Sequence, residues 1–275
     1  MRILLATDGS PQAKGAEVLA EWLAYKLSAK LLLLYVRDVR LLQGLEPLDL
    51  GALTIPVPVY RQELEKVLTL KGETILDRLQ RSAREAGIEA EAVLETGLPH
   101  EVILRHARGA DLLVLGRSGE AHGGSFLGLG STVDRVLRAS PVPVVVAPMD
   151  YVELEGALLG YNASESAVRA MHTLAALAKP LGLRVRVVSV HEDPVQAGSW
   201  ALEAEAYLKD QGLEVEALAL SGDPAEHLLA LQNPTDLLAW EPRCGGSSWG
   251  ARRNTWPATP WGRSSPPDKG SGVLV

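Results

Sequence analysis

Residues 112–148 read LLVLGRSGEAHGGSFLGLGSTVDRVLRASPVPVVVAP. The run opens on four apolar residues, Leu112 to Leu115, with no polar alternation, as a strand buried on both faces does. Six glycines follow between Gly116 and Gly130. Ser131 and Thr132 then start a helical pattern, with Val133, Val136 and Leu137 on one face. Pro141 stops that helix, and a second buried run, Val142 to Ala147, closes the unit. Strand, glycine loop, hydroxyls at a helix start, helix and strand together make an anion site. Glycines let amide groups turn inward, and a helix N-terminus adds donors and partial positive charge. A loop that merely needs turns is the plainer reading. Against it, ordinary connections in such units run about 2–6 residues, and this one is far longer.

The chain has 275 residues, 47% of them hydrophobic and 22% charged, enough for one large or two ordinary domains. A net charge of −7 with few aromatics outside the C-terminal stretch argues against a nucleic-acid binder. The single cysteine, Cys244, excludes an intramolecular disulfide and a cysteine metal cluster. Met1 leads straight into ILLAT with no leader pattern. No apolar run approaches the roughly 20 residues of a membrane span. The expectation is a soluble cytoplasmic protein that engages neither nucleic acid nor membrane.

Working back from residue 112, buried strands alternate with helices. ILLAT (3–7) is followed by Asp8-Gly9-Ser10-Pro11, where Asp8 or Ser10 can cap a helix running to about Leu27. Residues 31–36 (LLLLYV) form the second strand, and 38–60 reads as a Leu- and Pro-rich loop. An amphipathic helix covers about 61–86, carrying Leu64, Val67, Leu68, Ile75, Leu76 and Leu79 on its apolar face. A third strand (89–95) and a short helix (100–108) lead to Asp111. The order β-α-β-α-β-α-β-α-β predicts a five-stranded, doubly wound parallel sheet. Ligands of such sheets bind beyond the carboxyl ends of the strands, at the switch point. That rule brings Asp8, Val36 and the Gly116 loop to one crevice.

The pattern then repeats. ILLATDGS (3–10) returns as ALLGYNAS (157–164), and LLLYVRD (32–38) as RVVSVHED (186–193). GIEAEAVLETGLPHE (87–101) returns as GLEVEALALSGDPAE (212–226), and GADLLVLG (109–116) as PTDLLAWE (234–241). The offset is 154 at the front and 125 at the back, so the second copy is 29 residues shorter, chiefly in the counterpart of the 38–70 region. The fold expected is α/β: two tandem, Rossmann-like domains, 1–150 and 151–239, the second lacking its last helix and strand and therefore the less stable.

From Trp240 the repeat stops. Residues 240–275 carry four of the six tryptophans and the only cysteine, without helical or strand periodicity. One reading is a disordered functional tail rich in Pro, Gly, Ser and Arg. The other is a shifted reading frame. Dropping the first two bases of the Trp240 codon permits GAPVRRLVLGSTAEHVARHAMGPVL, with glycines forced at the Trp240, Trp249 and Trp261 boundaries. That string has the LGST-helix-PV form of Leu129 to Val146.

These residues resemble the universal stress proteins in their tandem form, fully over the first domain and to about Ala239 in the second. The family pattern is an Asp after the first strand and, late in the domain, glycine, two residues, glycine, nine residues, then glycine with Ser or Thr. Gly116-Arg117-Ser118-Gly119 and Gly130-Ser131 fit it, with ten residues rather than nine between Gly119 and Gly130. The resemblance implies an adenine nucleotide α-hydrolase-like fold and ATP binding. Asp8 meets the adenine end and the Val36 backbone meets the base. Gly116, Arg117, Gly119, Gly130, Ser131 and Thr132 cradle ribose and phosphates, with Ala6, Thr7 and Leu115 completing the strand ends. A phosphate-bound Mg²⁺ would keep most of its waters, so no carboxylate cage is expected. His122 lies in the loop as a further contact or a solvated side chain. The family pairs domains through the strand matching Val142–Ala147, which implies self-association within the chain or as a homodimer. In the second copy Asn162 replaces the Asp and the glycine loop is missing, so it is not expected to bind ATP as the first does.

Three functions fit these features. The first is an ATP-binding stress or signalling protein with little or no catalysis. The second is an enzyme, a slow ATPase or an ATP pyrophosphatase-type synthetase on a related fold. Its SGGxDS-like loop is absent, since the position reads ATDGSP, and no general base or nucleophile stands out. The third is a nucleotide-free interaction module, the favoured reading for the second copy.

Overall fold

The computed structural model describes residues 1–43, 48–49, 54–55, 57–119, 129–151, 153–239 and 273–274. The chain separates into two compact units, with the division between Val144 and Val145.

In the first unit β1 (Arg2–Ala6) leads through a 3-10 turn, Pro11–Ala13, into α1 (Lys14–Lys26). There follow β2 (Lys30–Asp38), α2 (Val57–Glu85), β3 (Ala90–Gly97), α3 (Pro99–Ala107), β4 (Leu112–Gly116) and α4 (Ser131–Ala139). β5 (Val144–Ala147) starts at the division. The strand order is β3-β2-β1-β4, and the Leu113 N–H of β4 donates to Pro143 O at 3.0 Å. Ile3, Leu4 and Leu5 are fully buried, as are Leu113 and Val114, which is why these strands are apolar without alternation. The predicted doubly wound α/β order is the one observed.

The helices differ from expectation at their ends. α2 begins at Val57, four residues before the predicted start, with Pro58 in its first turn, where a missing amide costs nothing. Within 38–60, read as a loop, there are also a helical turn, Arg40–Gln43, and a strand pair, Leu48–Asp49 with Thr54–Ile55. Ile75, Leu76 and Leu79 are buried as predicted, but Val67 is 60% exposed. Leu64 and Leu68 are half-buried, so Val67 lies at the margin of the apolar face rather than at its centre.

The second unit contains β6 (Gly156–Gly160), α5 (Glu165–Leu181), β7 (Arg184–Val190), α6 (Pro194–Asp210), β8 (Val215–Leu220), α7 (Pro224–Leu231) and β9 (Asp236–Ala239). Their order is β8-β7-β6-β9, which repeats β3-β2-β1-β4. Ala157, Leu158, Leu159, Val187 and Val188 are fully buried. Beyond β9, two residues of the tail, Val273–Leu274, form β10, parallel to β9 with Leu237 opposite Val273. The rest of the tail lies outside the described residues.

Candidate functional site

The sheet register sets the site. Ala6 of β1 stands opposite Leu34 of β2 and Leu115 of β4. Two residues further along each strand path come Asp8, Val36 and Arg117. All three therefore lie at one level towards the carboxyl edge, Asp8 and Arg117 just past their strand ends and Val36 still within β2, which runs to Asp38. Strand order reverses between β1 and β4, and this is where a doubly wound sheet opens its crevice.

Asp8 occupies a tight turn. Its Oδ1 accepts the Ser10 N–H at 3.0 Å, and the Gly9 N–H donates to Thr7 Oγ1 at 3.0 Å. Gly9 has φ +69°, and a methyl group there would run into the Ile75 side chain of α2. Asp8 and Ser10 were both candidate caps for the following helix. Ser10 takes the N-cap position of the 3-10 turn without a side-chain cap bond, and its amide is held by Asp8. The Ser10 hydroxyl is buried without a hydrogen-bond partner.

Against this turn lies the start of the glycine loop. A Cβ on Gly119 would press into Asp8 Oδ2, so the loop backbone and the carboxylate meet only because residue 119 has no side chain. The loop's return is pinned to its start, with the Gly130 N–H donating to Arg117 O at 3.0 Å. Gly130 is the N-cap of α4, so Ser131 and Thr132 occupy its first turn, where amides lack partners within the helix. Ser131, Thr132, Val36 and Arg117 are half-buried, and Ala6, Thr7 and Leu115 are buried at the strand ends. Burial pulls the Arg117 guanidinium below its ordinary pKa, a desolvation that a nearby anion relieves. All eleven sequence-predicted site residues are thus at the carboxyl edge of one sheet. His122 lies outside the described residues.

Two residues that sequence reasoning passed over sit beneath the turn. Glu17 of α1 is 2% exposed and its Oε1 accepts from the Thr7 hydroxyl at 3.0 Å. Its Oε2 accepts from Arg78 of α2 at 2.8 Å, with Lys14 at 3.5 Å. The signal was available, since Glu17 interrupts the apolar stripe of Ala13, Ala16, Ala20 and Ala24.

The second unit has the same backbone at the same place. The Tyr161 N–H donates to Val188 O as the Thr7 N–H does to Leu34 O, both at 3.0 Å. Asn162 Oδ1 accepts the Ser164 N–H at 3.1 Å, as Asp8 does from Ser10.

A parallel, doubly wound sheet with helices between its strands, and with Gly119 and the start of α4 beside an aspartate turn, defines the class as α/β. Residues 1–148 match the model of the universal stress protein family, and the chain belongs to that family. It is similar to the universal stress protein Slr1230 of Synechocystis, 29% identical over 252 residues, covering 86% of this chain and 87% of that one. A universal stress protein of Thermus aquaticus is 35% identical over 153 residues, 52% of this chain and 96% of its own length. Among solved structures, a universal stress protein from Archaeoglobus fulgidus superposes with a TM-score of 0.65 at 23% identity, over 86% of each chain. That likeness bears on the fold, in tandem form. Among the described residues, no helix is long and apolar enough to cross a membrane.

Proposed function

We propose that the first unit binds ATP and that the protein acts in stress response or signalling through the bound nucleotide, with little or no turnover. The observation that carries this reading is the pairing of Asp8 with Gly119. A carboxylate and a side-chain-free backbone are held together at the switch point, next to the start of α4. The repeat sharpens it. Asn162 makes the same turn as Asp8, so the turn requires a side-chain oxygen and not a charge. The carboxylate charge is what Asp8 adds at this position over Asn162. In this reading Asp8 and the Val36 backbone hold the nucleoside end. Gly119, Gly130, Ser131 and Thr132 offer donors to the phosphates, Arg117 adds charge, and Mg²⁺ arrives on the phosphates. Domain 151–239, with Asn162 and no glycine loop, binds none. The same reading makes the protein cytoplasmic and self-associating through Val142–Ala147, within the chain or as a homodimer.

Calorimetry with Mg-ATP on the full chain tests the site. One nucleotide per chain is expected. Gly130→Val places a branched side chain where a Cβ alone would be 3.3 Å from the Ser118 Cα, and should abolish binding. Asp8→Asn keeps the turn and should weaken binding about tenfold, a loss of ~1.4 kcal/mol. Wild-type affinity in both variants refutes the site. Light scattering on the eluting protein tests self-association, and a strict monomer removes the homodimer.

A further inference from the structure

The buried carboxylate under the Asp8 turn has no part in the nucleotide contacts just proposed. Glu17 is 2% exposed, and burying a charge is costly unless something specific is gained. The second unit shows that this fold position does not require it. With the repeat's offsets, Thr7, Glu17 and Arg78 correspond to Tyr161, Met171 and Glu203. Tyr161 is fully buried, its hydroxyl donates to Glu203 at 2.5 Å, and Met171 is buried where Glu17 stands in the first unit. All three members of the set differ together.

The two sets differ in what they do to the turn. A carboxylate is acceptor-only, so the Thr7 O–H must point at Glu17, which leaves the Thr7 oxygen lone pairs for the Gly9 N–H. Arg78 holds the other Glu17 oxygen, and Ile75, one turn earlier on the same helix, closes over Gly9. The Tyr161 hydroxyl sits at the far end of a ring and is directed to Glu203. It does not offer the short hydroxyl that makes a turn of the Thr7–Gly9 kind.

We propose that Glu17, anchored by Arg78, is a positioning residue for the first unit's ligand site: it orients the Thr7 hydroxyl, which fixes the Gly9 amide and so the aim of the Asp8 carboxylate. This rests on the nucleotide reading for its consequence, though not for its geometry. Glu17 itself touches no ligand, and the second unit, which lacks the relay, keeps only the turn.

The test uses the full chain with Thr7→Val, Thr7→Ser and Glu17→Gln. Hydrogen exchange of the Gly9 amide is measured without nucleotide, and Mg-ATP affinity by calorimetry, with thermal midpoints recorded alongside. Thr7→Val keeps the shape and loses the hydroxyl. Thr7→Ser restores the hydroxyl. Expected are at least tenfold faster Gly9 exchange and about tenfold weaker ATP binding for Thr7→Val and Glu17→Gln, with Thr7→Ser near wild type in both. Should Glu17→Gln not fold, the valine and serine pair decides. Unchanged Gly9 exchange in Thr7→Val overturns the proposal, whether or not affinity falls. If the wild type binds no nucleotide, the ATP reading fails, and Gly9 exchange still decides whether the relay positions the turn.

Discussion

Thr7-Asp8-Gly9-Ser10 and Tyr161-Asn162-Ala163-Ser164 are two versions of one turn. Both follow a buried strand, and both bond the serine amide to the side chain two residues back. Both place the third residue at positive φ, +69° for Gly9 and 55° for Ala163. The course of the turn is therefore shared by the fold, while the Thr7 hydroxyl's hold on the Gly9 amide is added in the first unit. What separates the units lies around it. The first has a charge, a hydroxyl relay to Glu17, and a glycine loop with a helix start. The second has a neutral amide, a phenol directed to Glu203, and no counterpart of that loop among the described residues. A duplication preserves the turn and sorts the functional groups from the structural ones.

The largest challenge to this contrast is genetic. If the tail from Trp240 is a shifted frame, resequencing of the locus will find a missing or extra base near codon 240. The corrected chain would then gain a second LGST loop, helix and strand. An unbroken frame makes the tail the chain's own and the asymmetry permanent.

Next in size is the amino edge of each sheet. In the second unit Asp236 is buried, 2% exposed, and bonded to Arg186 at 2.5 Å and to the Asn233 N–H at 2.7 Å. Its first-unit counterpart, Asp111, is exposed and accepts the Arg2 amide. Arg186→Leu strands a buried carboxylate and should cost about 4 kcal/mol, whereas Asp111→Asn should cost less than about 1 kcal/mol. Urea unfolding measures both, and adding Asp236→Asn to Arg186→Leu should recover most of the loss. Equal costs for the two single variants would erase the distinction.

The turns themselves come third. Gly9→Ala meets both the positive φ and Ile75, and should destabilise by about 3 kcal/mol. Ala163→Gly relieves the same backbone strain and should stabilise by about 1 kcal/mol. Trp200, at the position matching Ile75, packs edge-on against His191 at 5.0 Å. Changes equal in size and opposite in sign at the two sites, read by thermal melts, would mean that Ile75 adds nothing.

Much of this was legible in the sequence, and the reasons are physical. Strands buried on both faces carry no polar alternation, so β1, β2 and β4 announce themselves. Their common register then fixes Asp8, Val36 and Arg117 without further information. The glycine loop was readable because its composition has few other uses. The exposure of Val67 was not, since it lies about 80° around the helix from Ile75, at the edge of the apolar face, where packing decides what is covered. Nor was the Thr7–Glu17–Arg78 relay. Its members are 10 and 61 residues apart, and only packing of α1 and α2 on one sheet brings them together. Local patterns report local structure. Long-range polar pairs appear in a sequence only as a charge on the wrong face of a helix, which Glu17 is.

The smallest predicted effect distinguishes the two relays by pH. Burial, then the hydrogen bond and charge of Glu203, push the Tyr161 phenol well above its ordinary pKa. The unfolded chain releases that proton near pH 10, while the folded unit holds it. Folded protein then binds more protons than unfolded, so stability falls as pH rises through this window and is fully present below it. The slope should approach ~1.4 kcal/mol per pH unit, with a loss of about 1.4 kcal/mol by pH 11. Tyr161→Phe cannot titrate and should flatten this component, leaving background alkaline effects common to both proteins. Thr7 has no titrating group, so Thr7→Val should leave the slope unchanged. Urea midpoints between pH 9 and 11, with tyrosinate absorbance as the second signal, measure it. Parallel slopes for wild type and Tyr161→Phe would mean that neither burial nor Glu203 keeps the proton on the phenol. The second unit's substitute for the relay would then be packing alone.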